Sequence, residues 1–347
     1  MMMAAVPKAR TDDGLDRQVA AAAACSVEFP HVLANHLPMV LVALHRLGAS
    51  EARMRQFAER YRAASGLVPV PASVAPIGAA DWRDHLGDRT READYRAFFH
   101  REVRRLGGRR AVEAYLPELV PGIAASALHA LMRLAYATLR DDADETAIGL
   151  AYLCGSYLPL RTAGGHAPDT DDPAAVLLAM RPEPAFAHVE SETDLLWHWM
   201  RATARLPAFE GLVDRLRIGH DTLARVAAVS IRLMAATMTF EALHAVTGAH
   251  WVRLLRGLGC DAMLLRYFWQ AIAAVYPKIG MPLLPDEPAF AAMRRAPCPD
   301  WPEIAAAACA SDDEHDVSFA FSAREEQAVY GDRLYQVTAA RRVGLIP

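Results

Sequence analysis

Of the thirteen histidines in this 347-residue chain, several sit inside apolar helical patterns where an unpaired or charged imidazole is costly. His36 lies in Asn35-His36-Leu37-Pro38-Met39, and His129 falls between Leu128 and Leu131, in what reads as mid-helix. His244 closes Phe240-Glu241-Ala242-Leu243-His244, and His315 follows Ser311-Asp312-Asp313-Glu314. That last run reads as a capping box with His315 in the first turn of a helix. The macrodipole there disfavours a cation, and a neutral ring can ligate. Four neutral imidazoles converging from four helices would suit iron, copper or zinc in a bundle core. A single buried histidine is more often a core residue bonded to a carbonyl, so the set of four carries the argument.

Other constellations are weaker. Glu241 and His244 form one ExxH pair on a common helical face. A di-iron carboxylate bundle needs two such pairs and two further glutamates, and only this pair falls within a single predicted helix. His220-Asp221 and His315-Asp316 resemble the histidine-aspartate pair of all-helical metal phosphohydrolases. Asp221 more simply starts a helix at the favourable end of its dipole. GxGxxG, GxxxxGK[ST], HExxH and GxSxG are all absent, so no Rossmann-type nucleotide site is expected.

The elements that must hold these residues read as helices throughout. Apolar spacing predicts a helix over 31–47, started or kinked by Pro38, and another over 51–64 behind the N-cap Ser50. Further helices are expected over 81–106, 112–119, 122–140, 146–157, 221–246 (stopped by Gly248) and 254–276, with a final pair over 312–340. Residues 161–192, rich in Gly and Pro, read as a long connection and the best candidate for a lid or boundary. Alternating strand patterns are nearly absent, and no repeat period is visible. The expected fold is all-α: a loose N-terminal segment, 1–29, then one large multi-helix domain, 30–347, with a metal site between helices.

Composition sets the outer bounds. An apolar share of 53% with 22% charged residues can fill a core, which excludes disorder. The net charge of −4 leaves no basic field for nucleic acid or an anionic membrane. Five scattered cysteines without a CxxC pair point to a reducing cytoplasm. The short apolar run 19–27 follows Asp12, Asp13 and Asp16 instead of a basic segment, so a signal peptide is not expected. The uncharged stretch 146–160 falls short of the ~20 residues a spanning helix needs. Of 37 basic residues only Lys8 and Lys278 are lysines.

At these same residues the sequence resembles the questin oxidase-like family. The matching blocks are Asn35-His36-Leu37-Pro38-Met39 with Ala43-Leu44 and Leu47-Gly48; Trp82, Leu86-Gly87, Tyr95 and Phe98-Phe99; and His129-Ala130-Leu131-Met132-Arg133. They continue with Leu243-His244-Ala245-Val246-Thr247-Gly248 and Arg253, then Asp313-Glu314-His315, Gly331-Asp332, Tyr335 and Ala339-Ala340. Each block is short, but they fall in family order from about residue 30 onward. The resemblance implies an all-helical oxygenase that opens rings of polycyclic aromatic polyketides such as anthraquinones. It also implies non-haem iron held by several histidines and a carboxylated lysine. His36, His129, His244 and His315 occupy the matching histidine positions, with His250 a further candidate. The family's last block usually has a lysine three residues after its histidine; here that residue is Ser318, on the face of His315 from which a fifth ligand should come. Lys278, in Pro277-Lys278-Ile279-Gly280, has no sequence reason to replace it.

The reading that follows is a non-haem metal oxygenase, with Fe(II) or another transition metal on those histidines. Its expected partners are O₂ and a small aromatic substrate of secondary-metabolite type, without nucleic acid or membrane. Arg133 could orient an anionic substrate oxygen or pair with an acid. Glu241 could fix the tautomer of His244, and Ser318 could hydrogen-bond a metal-bound water. Two readings stay open beside it: a metal-free helical binding or scaffold protein, and a metal-dependent hydrolase using Asp316 or Asp221.

Overall fold

The computed structural model describes residues 13–160 and 167–347. Segments rich in Ala, Leu and Arg form helices, as their propensities favour, and several stop at a residue in the left-handed region. Helices α1 (Asp13–Ala23), α2 (Leu37–Leu47) and α3 (Glu51–Ser65) are followed by α4 (Glu92–Leu106), α5 (Gly108–Leu119), α6 (His129–Arg140) and α7 (Ala143–Gly155). Two short helices, α8 (Pro173–Leu178) and α9 (Pro184–Ala187), precede α10 (Leu196–Ala204). Then come α11 (Thr222–Thr237), α12 (Phe240–Leu254), α13 (Asp261–Val275), α14 (Glu287–Arg295), α15 (Trp301–Ala310), α16 (Glu314–Tyr330) and α17 (Leu334–Arg342). A two-stranded antiparallel hairpin, β1 (Glu28–Phe29) and β2 (Leu33–Ala34), pairs Glu28 with Ala34 and Phe29 with Leu33.

One hydrophobic cluster runs from Leu15 on α1 to Ala340 on α17, so the fold is a single all-α domain. Helix α2 packs on α1 and α16, α12 on α6, α11 and α16, and α7 on α4 and α6. Two glycines permit close approaches between helices. A Cβ on Gly149 would lie 2.9 Å from Leu134 Cα, where α7 meets α6, and one on Gly248 would lie 2.4 Å from the Phe268 ring, where α12 meets α13. Among the described residues no helix is long and apolar enough to cross a membrane.

Several boundaries differ from the sequence expectation, each for a local reason. The segment expected to be loose contains α1, whose Leu15, Val19 and Ala22 share one face and are buried; its alanines obscured that stripe. Pro38 stands in the first turn of α2, so the helix begins there and is not kinked. Gly248 does not stop a helix; the break comes at Met238, with φ of 51°, which separates α11 from α12. The span expected as one helix over 81–106 is two short 3₁₀ turns before α4. Of the candidate lid, residues 161–166 lie outside the described residues, and the remainder carries α8 and α9.

Candidate metal centre

His36 is placed by the residue before it. Asn35 Oδ1 accepts from the Leu37 amide at 3.1 Å, capping α2, while its Nδ2 donates to the Ser26 carbonyl at 3.0 Å. The His36 amide donates to the Tyr61 hydroxyl at 3.0 Å. The imidazole that these bonds fix is buried, and neither of its nitrogens has a hydrogen-bond partner.

His129 is placed by strain. The helix expected over 122–140 begins only at His129, because Ser126, Ala127 and Leu128 have φ of 43°, 55° and 71°. Left-handed non-glycine residues cost on the order of 1–3 kcal/mol each and persist only where their surroundings hold them. Here the Ser126 hydroxyl donates to the Glu28 carboxylate, and the Ser126 carbonyl faces His129 Nδ1 in a short contact. A carbonyl only accepts, so the proton sits on Nδ1 and the lone pair on Nε2.

His244 and His315 follow the same rule. His244 Nδ1 donates to the Phe240 carbonyl at 3.0 Å. Asp313 is the N-cap of α16: its Oδ1 accepts from the His315 amide at 2.8 Å and from His315 Nδ1 at 2.9 Å. The bond from His315 holds the Asp313 carboxyl down to about 2, and Arg342 on its other oxygen, at 2.8 Å, acts in the same direction. Three of the four imidazoles therefore keep Nε2 free as an acceptor.

All four line one cavity of about 680 Å³. Ring centres are 4.4 Å apart for His36 and His129, 5.2 Å for His36 and His315, and 5.6 Å for His129 and His244. With metal–nitrogen bonds of about 2.0–2.1 Å, two imidazoles on one ion hold their centres roughly 4.5–5.5 Å apart, so the spacing suits a shared ion. Among the described residues, the ligand-type group drawn within 4.8 Å of one another is Asp313, Glu314 and His315, the last two of which line the cavity. His36, His129 and His244 do not belong to that group, so their rings share the cavity without their nitrogens meeting at one point. Burial holds His36 well below the ordinary histidine value, with His129, His315 and His244 adding to it. Burial likewise brings His129 down to about 4 and His244 to about 3. Neutral rings with free lone pairs are the form a transition metal takes.

The wall of the cavity comes from helix N-termini. His36 precedes α2, and His129 opens α6. Leu196 opens α10, Phe240 opens α12, and Glu314 opens α16. Their dipoles place partial positive charge at this wall, which disfavours imidazolium, while the Asp194 and Glu314 carboxylates of the same lining oppose an anion. Phe240, 42% exposed, lies edge-on to both His244 and His315. The remaining surface is largely apolar, with Trp197 beneath the guanidinium of Arg89 at 4.8 Å.

The other sequence candidates lie elsewhere. Arg133 makes a bidentate pair with Glu145 at 2.8 and 2.9 Å and is fully buried, so it pairs with an acid and does not orient substrate. Glu241 lies 3.6 Å from Lys278 Nζ, and the Phe240 carbonyl, not Glu241, fixes the His244 tautomer. Ser318 is buried with its hydroxyl unpartnered, and it does not line the cavity. His250 bonds Ser322 at 2.9 Å, away from the other four. Asp221 pairs with the exposed His220, and Asp316 is held by Arg342 and Ser311, so neither carboxylate serves the cavity. Sequence reasoning missed Asp313 as the cap itself, Glu28 behind the site, and the cavity-lining Phe240, Trp197, His31 and His198. Only Asp313, as an N-cap two residues before a histidine, left a readable signal.

An all-α fold whose apolar cavity gathers imidazoles from four helices sets the class of protein. The chain belongs to the questin oxidase-like family, whose model matches residues 33–321 and so includes all four cavity histidines. That membership implies an oxidoreductase acting on a small molecule. No curated protein matches the chain.

Proposed function

We propose that His36, His129, His244 and His315 hold one transition-metal ion, iron(II) in the first instance, and that the protein uses O₂ to oxidise a small aromatic substrate. The observation that supports this most directly is the meeting of four imidazoles from four helices on one apolar cavity, three of them buried and held neutral by that burial. When bound, the metal supplies the oxygen activation that no side chain can.

The chain's own residues do the rest. The Ser126 and Phe240 carbonyls and the Asp313 carboxylate keep protons on Nδ1, which leaves each Nε2 available. Phe240, Trp197 and Leu196 form an apolar surface that excludes water and accepts a flat ring. The helix N-termini at the wall favour a polarised substrate oxygen, as in a neutral phenol, while the Asp194 and Glu314 carboxylates disfavour an ionised one. Ser318 stands where a lysine is usual in the family, and its buried hydroxyl offers no anionic ligand. The ligand set is then histidine with water, and the Glu314 carboxylate, 3.8 Å from His36 Nδ1, is the anionic group nearest to it. The test is anaerobic loading with iron(II), metal analysis after desalting, and O₂ uptake with hydroxylated polycyclic aromatics. One metal per chain and substrate-dependent uptake are expected; absence of any stoichiometric transition metal after loading overturns the reading.

A further inference from the structure

We propose that Glu28 is the positioning residue of the imidazole cluster, pinning the turn that fixes the His129 tautomer and tying it to the aromatic wall of the cavity. The inference rests on the metal reading only for its consequence; the positioning itself is a property of the protein without metal.

Glu28 lies in β1, outside the cavity lining, and its side chain is only 10% exposed. Its carboxylate nevertheless reaches several separate elements. Oε1 accepts from the Ser126 hydroxyl, and from the Tyr152 hydroxyl of α7 at 3.3 Å. Oε2 accepts from Arg89 Nε at 2.9 Å. Ser126 opens the three-residue left-handed run before α6, and its carbonyl takes the Nδ1 proton of His129. Arg89 in turn lies over the indole of Trp197, which lines the cavity. The hairpin that carries Glu28 also supplies Phe29 and Leu33 to that lining. One carboxylate thus joins the hairpin, the strained turn and the aromatic wall.

The physical logic is that of a ligand-orienting partner acting through one intermediate residue. A left-handed Ser-Ala-Leu run has no glycine to make it cheap, so something outside the turn must hold it. The Ser126 side chain is the handle and Glu28 the anchor. Release of that anchor frees Ser126 to return toward ordinary φ, which swings its carbonyl away from Nδ1. His129 then has no fixed acceptor, and its proton distributes between the two nitrogens.

The test reads imidazole tautomers directly, by ¹⁵N NMR of ring-labelled full-length protein without metal. In the native chain His129 should be a single Nδ1–H tautomer. Glu28→Ala and Ser126→Ala should each give mixed tautomers at His129 while His244, held by its own Phe240 carbonyl, is unchanged. Glu28→Gln keeps an acceptor for Ser126 and should restore the single tautomer, even though its pairing with Arg89 is lost. Cobalt(II) affinity, measured by chelator competition, should fall about 10–100-fold in the two alanine variants and stay within about threefold of native in Glu28→Gln. If the alanine variants fold and keep both the single tautomer and native cobalt affinity, the proposal is overturned. If Glu28→Ala fails to fold, Ser126→Ala, which retains the Glu28–Arg89 pair, decides the matter by the same two readings. If the native chain binds no metal at all, the functional reading fails, while the tautomer comparison still tests Glu28.

Discussion

His244 and His250 lie on the same helix, six residues apart, and both are buried, yet they occupy different worlds. His244 sits one turn inside the N-terminus of α12, bonded through Nδ1 to a carbonyl, with its ring open to the cavity beside His129. His250 is in the helix interior, bonded to Ser322 and packed edge-on against Phe321. Six residues turn a helix by roughly 600°, so the two rings point about 120° apart. Burial and residue type are common to both. The difference lies in whether the second ring nitrogen faces open volume shared with other imidazoles.

The largest expected effect tests that difference head on. His36→Ala combined with His129→Ala should abolish stoichiometric metal binding, as read by metal analysis after anaerobic loading. His250→Gln should keep the full metal complement. Equal loss in both variants would erase the distinction between the two regions.

Arg133 sharpens the boundary from the other side, because it lies one turn from His129 yet belongs to the packed interior. Arg133→Ala leaves Glu145 buried without its partner, which should cost about 3–5 kcal/mol of unfolding free energy in denaturant titrations. A near-neutral result would mean that Glu145 finds water or another cation, and that the region is less closed than its burial indicates.

Acid should also separate the regions. Burial, with Arg253 adding, holds His250 down to about 3 in the fold, whereas an unfolded histidine titrates near about 6.5. Below that pH the unfolded chain binds more protons, so stability is full above about 6.5 and falls as pH drops toward 3. The neutral cavity histidines act in the same direction. Denaturant titrations across that range should show a shallower acid limb in His250→Gln with or without metal. Metal loading should raise stability near neutral pH and lose that gain in acid, because protons compete with the metal for the cavity rings. An unchanged slope in His250→Gln would sink the assignment of that limb to this residue.

The smallest expected effect is at Glu241. It faces Lys278 and not His244, so Glu241→Gln should change cobalt(II) affinity less than about twofold in chelator competition. A tenfold loss would restore Glu241 to the metal's surroundings.

Much of the site was legible because apolar flanks around a histidine are a strong local signal. His36, His129 and His244 are each surrounded in sequence by residues that bury, and a buried imidazole demands an explanation, whereas His315, between Glu314 and Asp316, was marked by its capping run. The supporting contacts were not legible. Asp313 beside His315 is a local cap and could be read, but Glu28 lies 98 residues from Ser126 and 61 from Arg89. No spacing rule links such residues. Helix boundaries failed where left-handed non-glycine residues broke a pattern that looked continuous, at Leu128 and at Met238. Those breaks matter to the site: each brings a histidine to the start of a helix instead of its middle.

The sequence by itself determined an all-α chain, its apolar core and the four histidines, because helix propensity, apolar period and the cost of burying an imidazole are local properties. Only the tertiary structure decided that five helix N-termini meet at one cavity, that Arg133 and His250 stand apart from it, and that a carboxylate in a distant hairpin anchors the turn before His129. Those outcomes depend on which faces pack together, and packing couples residues that are remote along the chain.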